Sequence, residues 1–186
     1  MPAPPGSTAA PELSAATAYS SPGGKVYISG KGFSGVAPQN QVTIGSRSLP
    51  VLASSPVSIV AAVPADMPVG DSGPLVVKTL QGTAPSRPRP IAVVRLRVEG
   101  SNRTLHKGQQ GHGRVIIEGT RDAVTVQITN ASPAVVQLAN GQNQITAKSS
   151  GGSTNVIKVK YTAVGAGAFN LTTILVEPPA GGKKNM

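Results

Sequence analysis

The sequence predicts an all-β protein built as two β-sandwiches in series, with an extended arm at each end. Three observations carry this. Val and Ile together number 32 (22 and 10) against 10 Leu, a β-branched excess that fits pleated surfaces better than helices. The chain carries 22 Gly and 17 Pro, so the apolar runs are short and interrupted by turns. The runs recur about every 8–12 residues, the spacing of sandwich strands.

In the first half, alternating runs at 25–29, 41–44, 48–52, 58–63 and 74–79 are separated by Gly- and Pro-bearing links. The second half continues with runs at 92–99, 114–118, 123–129, 134–138, 144–148, 155–162 and 168–176. Asn140-Gly141 supplies a tight-turn signal there, since both residues tolerate positive φ. Residues 1–12 are rich in Pro, Ala and Ser and bury little, so they read as an extended arm, and 179–186 reads as a flexible tail. Pro85, Pro88 and Pro90 make a stiff connector, placing one sandwich over 13–84, a linker over 85–91 and a second sandwich over 92–178. An internal echo supports this duplication. Gly24-Lys25-Val26-Tyr27-Ile28-Ser29-Gly30 parallels Gly113-Arg114-Val115-Ile116-Ile117-Glu118-Gly119 at an offset of 89 residues.

Composition excludes several function classes. With no Cys there is no disulfide scaffold, thiolate zinc site or thiol nucleophile. No apolar run approaches the ~20 residues a membrane-spanning helix needs. The N-terminus has neither the basic nor the apolar segment of an export signal.

Charge is unevenly placed. The net charge is +10, of which residues 1–86 hold +1 and residues 87–186 hold +9. The densest stretch includes Arg87, Arg89, Arg95, Arg97, Arg103, Lys107 and Arg114, with Glu99 its lone acid. Arg95 and Arg97 alternate with apolar residues and so line the solvent side of a strand. These seven are the candidate partner-binding residues. They suit an acidic protein surface, a nucleic acid or an anionic glycan, and a merely solvated face accounts for them equally well.

Tyr19-Ser20-Ser21-Pro22-Gly23-Gly24-Lys25-Val26-Tyr27-Ile28-Ser29-Gly30-Lys31-Gly32-Phe33 resembles the opening of an IPT/TIG domain, where a Pro-Gly-Gly turn precedes a strand ending in Gly-x-Gly-Phe. Asn40-Gln41-Val42-Thr43-Ile44-Gly45, Ile59-Val60-Ala61-Ala62-Val63-Pro64 and Gly70-Asp71-Ser72-Gly73-Pro74-Leu75-Val76-Val77 follow in the family's order, so the resemblance covers about residues 13–84. It implies an immunoglobulin-like sandwich, a fold found in surface proteins, polysaccharide enzymes, receptors and transcription factors, and so no single activity. The second half resembles bacterial and phage immunoglobulin-like modules in general pattern only.

Chemistry is sparse. Gly70-Asp71-Ser72-Gly73-Pro74 looks like a serine-protease nucleophile segment one Gly short, but both His residues, His106 and His112, lie downstream of the Ser, and turn chemistry explains the segment. No acid stands between the two His to complete a metal site. No catalytic residue, metal site or cofactor is expected. The five aromatics, Tyr19, Tyr27, Phe33, Tyr161 and Phe169, are few for a glycan or single-strand platform. The reading is a non-catalytic structural or interaction protein, a decoration or assembly subunit on a virion or cell surface. It would dock through its basic second domain on an acidic protein, with homo-oligomerisation open. The alternative is a ligand-binding module for polysaccharide or nucleic acid.

Overall fold

A computed structural model describes residues 10–71, 73–84, 91–100 and 105–176, leaving aside the side chains of Asp71 and Asn140. Among these residues the protein is all-β, with two single-turn 3-10 helices at Ala37–Gln39 and Ala139–Gly141. The chain forms two compact units. The first runs to Val94 and the second covers Arg95–Val176.

The first unit contains β1 (Glu12–Ala16), β2 (Tyr19–Ser20), β3 (Lys25–Lys31), β4 (Gln41–Ile44), β5 (Arg47–Leu49), β6 (Val51–Ser55), β7 (Ser58–Ala62), β8 (Gly70–Asp71), β9 (Leu75–Thr79), β10 (Gly82–Thr83) and β11 (Ala92–Val93). One sheet has the order β1-β3-β7-β6, a second β10-β9-β4-β5, and a small third β2-β11-β8. Alternation decides what is buried. Val26 and Ile28 of β3 and Ile59 and Ala61 of β7 join Val42, Ile44, Leu75 and Val77 of the second sheet in one apolar core.

Two local devices shape this unit. Gly32 takes a positive φ of 74°, which brings the chain round so that Phe33 is buried against Gly30. A Cβ on Gly30 would overlap the Glu12 carbonyl of β1 and lie 2.6 Å from the tip of the Phe33 ring, so the strand and the ring both approach the glycine closely. Asn40, itself buried, staples the loop that follows. Its amide donates to the carbonyls of Ser34 (2.8 Å) and Val36 (3.3 Å), and its carbonyl accepts from the Ser34 N–H (2.9 Å).

The second unit contains β12 (Arg95–Glu99), β13 (Gln110–Glu118), β14 (Thr125–Asn130), β15 (Val136–Leu138), β16 (Gln144–Lys148), β17 (Val156–Ala163) and β18 (Leu171–Val176). Its sheets are β12-β13-β17-β15 and β16-β14-β18. Val115, Ile117, Val159 and Tyr161 from the first and Val126, Ile128, Leu171 and Leu175 from the second are buried between them.

The echoed segments hold equivalent places. β3 and β13 are each second in a four-stranded sheet, between the unit's opening strand and a later partner, β7 or β17. The connections differ. After β4 the chain first pairs back onto β4 as β5 and then crosses as β6, whereas after β14 it crosses first as β15 and returns to β14 as β16.

Two strand expectations are revised. The run at 48–52 is two strands in different sheets, divided at Pro50, which has no N–H to continue a ladder. The run at 92–99 is also two. Ala92 and Val93 pair with Tyr19–Ser20 and with Gly70–Asp71 of the first unit, while Arg95–Glu99 pairs with β13. The turn expected at Asn140-Gly141 is present between β15 and β16, with Gly141 at positive φ (70°), although the two strands belong to different sheets. Ile91, assigned to the linker, is buried in the first unit's core. The rest of the expected linker, most of the N-terminal arm and the tail lie outside the described residues.

A cationic sheet face in the second unit

Strand alternation and pairing register decide which charges meet. On the solvent face of the β12-β13-β17-β15 sheet, Arg95, Arg97 and Glu99 of β12 stand opposite Glu118, Ile116 and Arg114 of β13. Continuing across, Ile116, Arg114, His112 and Gln110 stand opposite Val156, Lys158, Lys160 and Thr162 of β17. Gln137 of β15 ends the last row beside Thr162. Arg95, Arg97, His112, Arg114, Lys158 and Lys160 are all exposed. Neighbours lie about 4.8 Å apart across strands and about 6.8 Å apart along them.

The two halves of this face differ in how their charge is used. Glu99 accepts from Arg97 (2.6 Å) and Arg114 (3.0 Å), and Arg97 also reaches Glu118 (3.4 Å). These exposed pairs add little stability, but they bind two arginines and two carboxylates into a locally neutral zigzag. Among the described residues, Arg95, Lys158 and Lys160 form no ion pair. Apart from Arg95 on β12, the unpaired positive charge therefore lies toward β17, where Lys158 stands beside Arg114 and Lys160 beside His112.

Of the seven sequence candidates, Arg95, Arg97 and Arg114 come together on this face. Lys107 lies in the turn before β13, where Gly108 N–H donates to the Ala163 carbonyl (2.7 Å) at the end of β17. Arg87, Arg89 and Arg103 lie outside the described residues. Sequence reasoning missed Lys158 and Lys160. Their signal was present in Val156-Ile157-Lys158-Val159-Lys160-Tyr161, whose alternation puts both lysines outward.

The decoy motifs resolve separately. Gly70 and Asp71 form β8, and Ser72 lies outside the described residues. His106 sits in the turn at the head of β13, where its N–H donates to the Gln109 side chain (3.0 Å), while His112 faces Lys160. Among the described residues no three His, Asp or Glu side chains are grouped to hold a metal, and no helix is long and apolar enough to cross a membrane. A groove of about 540 Å³ in the first unit is lined by residues such as Pro38, Asn40, Ser48, Pro50 and Leu80, with Lys78 its lone charged group.

The first unit's strand order, its Gly30–Phe33 packing and the Asn40 staple coincide with a family match, to the IPT/TIG domain model over residues 11–88. Residues 11–88 are an IPT/TIG domain. The sandwich of the IPT/TIG domain is thereby immunoglobulin-like. A comparison with the curated proteins finds no match. Solved structures with weaker similarity include an auxiliary nutrient binding protein from Bacteroides thetaiotaomicron (14% identity, 60% of this chain and 33% of that one, TM-score 0.39). A gamma-CGTase from an alkalophilic Bacillus clarkii has 16% identity over 91% of this chain and 23% of its own, with a TM-score of 0.40. The adhesin InvE of Yersinia pseudotuberculosis has 17% identity over 89% and 58%, with a TM-score of 0.30. The chain thus spans a third or less of the first two proteins.

Proposed function

We propose that the protein is a non-catalytic structural and interaction module that docks on an acidic protein surface through the β13–β17 half of its cationic face. In this reading it decorates or helps assemble the surface of a virion or a cell. The observation that carries it is the pairing pattern: Glu99 and Glu118 are engaged by Arg97 and Arg114, while among the described residues Lys158 and Lys160 stand together without a carboxylate. Unpaired lysines on a flat sheet raise the local concentration of an anionic partner and give up little on contact, because no internal ion pair has to break.

An acidic protein fits this face better than a nucleic acid. No Phe, Tyr or Trp lies among the outward residues of β12, β13 and β17, so stacking with unpaired bases has only the His112 ring as a platform. The test is retention of the full chain on immobilised poly-glutamate, on duplex DNA and on neutral dextran across a salt gradient. Salt-sensitive retention on poly-glutamate that Lys158→Glu/Lys160→Glu abolishes supports the reading. Retention unchanged by that pair overturns it, and stronger retention on DNA at matched salt shifts the assignment to nucleic acid.

A further inference from the structure

Every sheet has two edges, and an unpaired edge is a template for another strand unless something blunts it. In the first unit β1 and β6 each carry a register shift, at Leu13/Ala15 and Val51/Ala53, and the other edge strands have two or three residues. In the second unit β15 has three residues, and β12 and β18 lie against each other. β16 has none of these protections. Its five residues pair with β14 without irregularity, and among the described residues no strand lies on its other side.

The hydrogen-bond phase of that edge follows from its two ends. Asn130 N–H donates to the Asn143 carbonyl (2.7 Å) and Ser149 N–H to the Val124 carbonyl (2.8 Å). Antiparallel bonding alternates residue by residue, so Ile145 and Ala147 direct their backbone groups to β14. Gln144, Thr146 and Lys148 direct theirs to the free edge.

We infer that β16 is a self-association edge, pairing antiparallel with β16 of a second copy about a two-fold axis at Thr146. In that register Thr146 meets its own copy, and Gln144 and Lys148 meet each other, so every outward backbone group on both strands is bonded. The same register sets each lysine opposite a glutamine instead of the other lysine, which matters for a chain of net charge +10. The joined sheet runs β18-β14-β16 and back through the copy. Its outer face carries mainly Thr and Gln side chains, with Ile174 and Val176 exposed at the β18 end and Lys148 its one charge per copy, and the cationic face described above belongs to the other sheet of each sandwich. An edge pairing buries little area, so the dimer is weak and isologous. This inference is independent of the docking face.

The test is sedimentation or light scattering of the full chain from about 1 µM to about 1 mM, the range where small interfaces associate. A concentration-dependent dimer is expected, unchanged by Lys158→Glu/Lys160→Glu. Thr146→Lys sets like charges opposite each other on the axis and should raise the dissociation constant about fivefold or more. Gln127→Lys adds the same charge one strand inward and should leave association nearly as it was. Thr146→Cys, in a chain with no other thiol, should form a covalent dimer on mild oxidation. A monomer throughout the range, or a dimer that survives Thr146→Lys unchanged, overturns the inference.

Discussion

Tyr161 lies directly across the strand from Gly111, and its buried ring fills the space a side chain at Gly111 would need. A Cβ there would overlap the Tyr161 ring and come within 2.7 Å of Leu105. Phe169 completes the group, its ring 4.7 Å from that of Tyr161 at 55°. An aromatic covering a cross-strand glycine is a recognised way to recover the packing that the glycine forgoes. Gly111→Ala therefore overpacks the second unit and should cost about 1–3 kcal/mol in its unfolding transition, read by denaturant melts. A cost near zero would mean that the ring moves aside freely.

Among the described residues the buried Tyr161 hydroxyl has no hydrogen-bond partner. An unsatisfied buried hydroxyl carries a desolvation cost of about 1–3 kcal/mol that its removal relieves. Tyr161→Phe keeps the ring over Gly111 and discards the hydroxyl. It should leave the stability of the second unit unchanged or raise it, and a clear loss in a thermal melt would show that the hydroxyl is engaged.

Asn40 satisfies three polar groups of the 34–40 loop from one buried side chain. Asn40→Ala leaves these groups with solvent or nothing, at an expected cost of about 1–3 kcal/mol to the IPT/TIG domain. Asn40→Asp keeps the shape but replaces the amide donor with a carboxylate, setting charge against the Ser34 and Val36 carbonyls. Its loss should exceed that of Asn40→Ala at neutral pH and shrink as the pH falls, measured by urea melts across pH.

Much of this was legible in the sequence, for identifiable reasons. Short-range signals survived folding: the alternation of Lys25-Val26-Tyr27-Ile28 made β3, and Gly30-Lys31-Gly32-Phe33 marked the IPT/TIG domain because Phe33 needs the glycine it packs on. Pairings across long separations were not legible. Nothing local to Ala92 says that it will join Tyr19 and Asp71, and nothing local to Asn140-Gly141 distinguishes a hairpin from a crossing between sheets. Which charges meet across the sheet was hidden in the same way. A count of charge along the chain favoured 87–114, whereas register places Lys158 beside Arg114, 44 positions earlier, and lets Glu99 and Glu118 pair with Arg97 and Arg114, two of the arginines that the count favoured.

The division of the cationic face makes its own prediction. Arg97→Gln removes a cation already paired twice, freeing Glu118 and leaving Glu99 to Arg114 alone, whereas Lys158→Gln removes a cation that forms no ion pair among the described residues. Both variants should keep the fold, since exposed ion pairs contribute roughly 0–1 kcal/mol. Lys158→Gln should weaken retention on poly-glutamate and reduce its salt dependence, because it takes away a contact. Arg97→Gln should weaken retention too, but chiefly through repulsion by the freed Glu118, and Glu118→Gln in the same chain should restore much of it. Such rescue distinguishes a charge acting through its neighbours from one that meets the partner.

Asp66 tests electrostatics in the first unit. Arg47 donates a hydrogen bond of 2.7 Å to its carboxylate, and that bond, with the attraction of the guanidinium, holds the carboxyl below its ordinary 3.8. A depressed folded value means that the pair supports folding above the unfolded pKa and that this support is lost as the pH falls through the folded one. The group is fully exposed, so the readout is the titration itself and not a stability figure. Following the Asp66 carboxyl by NMR through acid pH, Arg47→Gln should move its midpoint upward toward the ordinary value, and added salt should move the wild-type midpoint in the same direction. A midpoint that ignores both changes would assign the depression to Asp66's own backbone hydrogen bond instead of to Arg47.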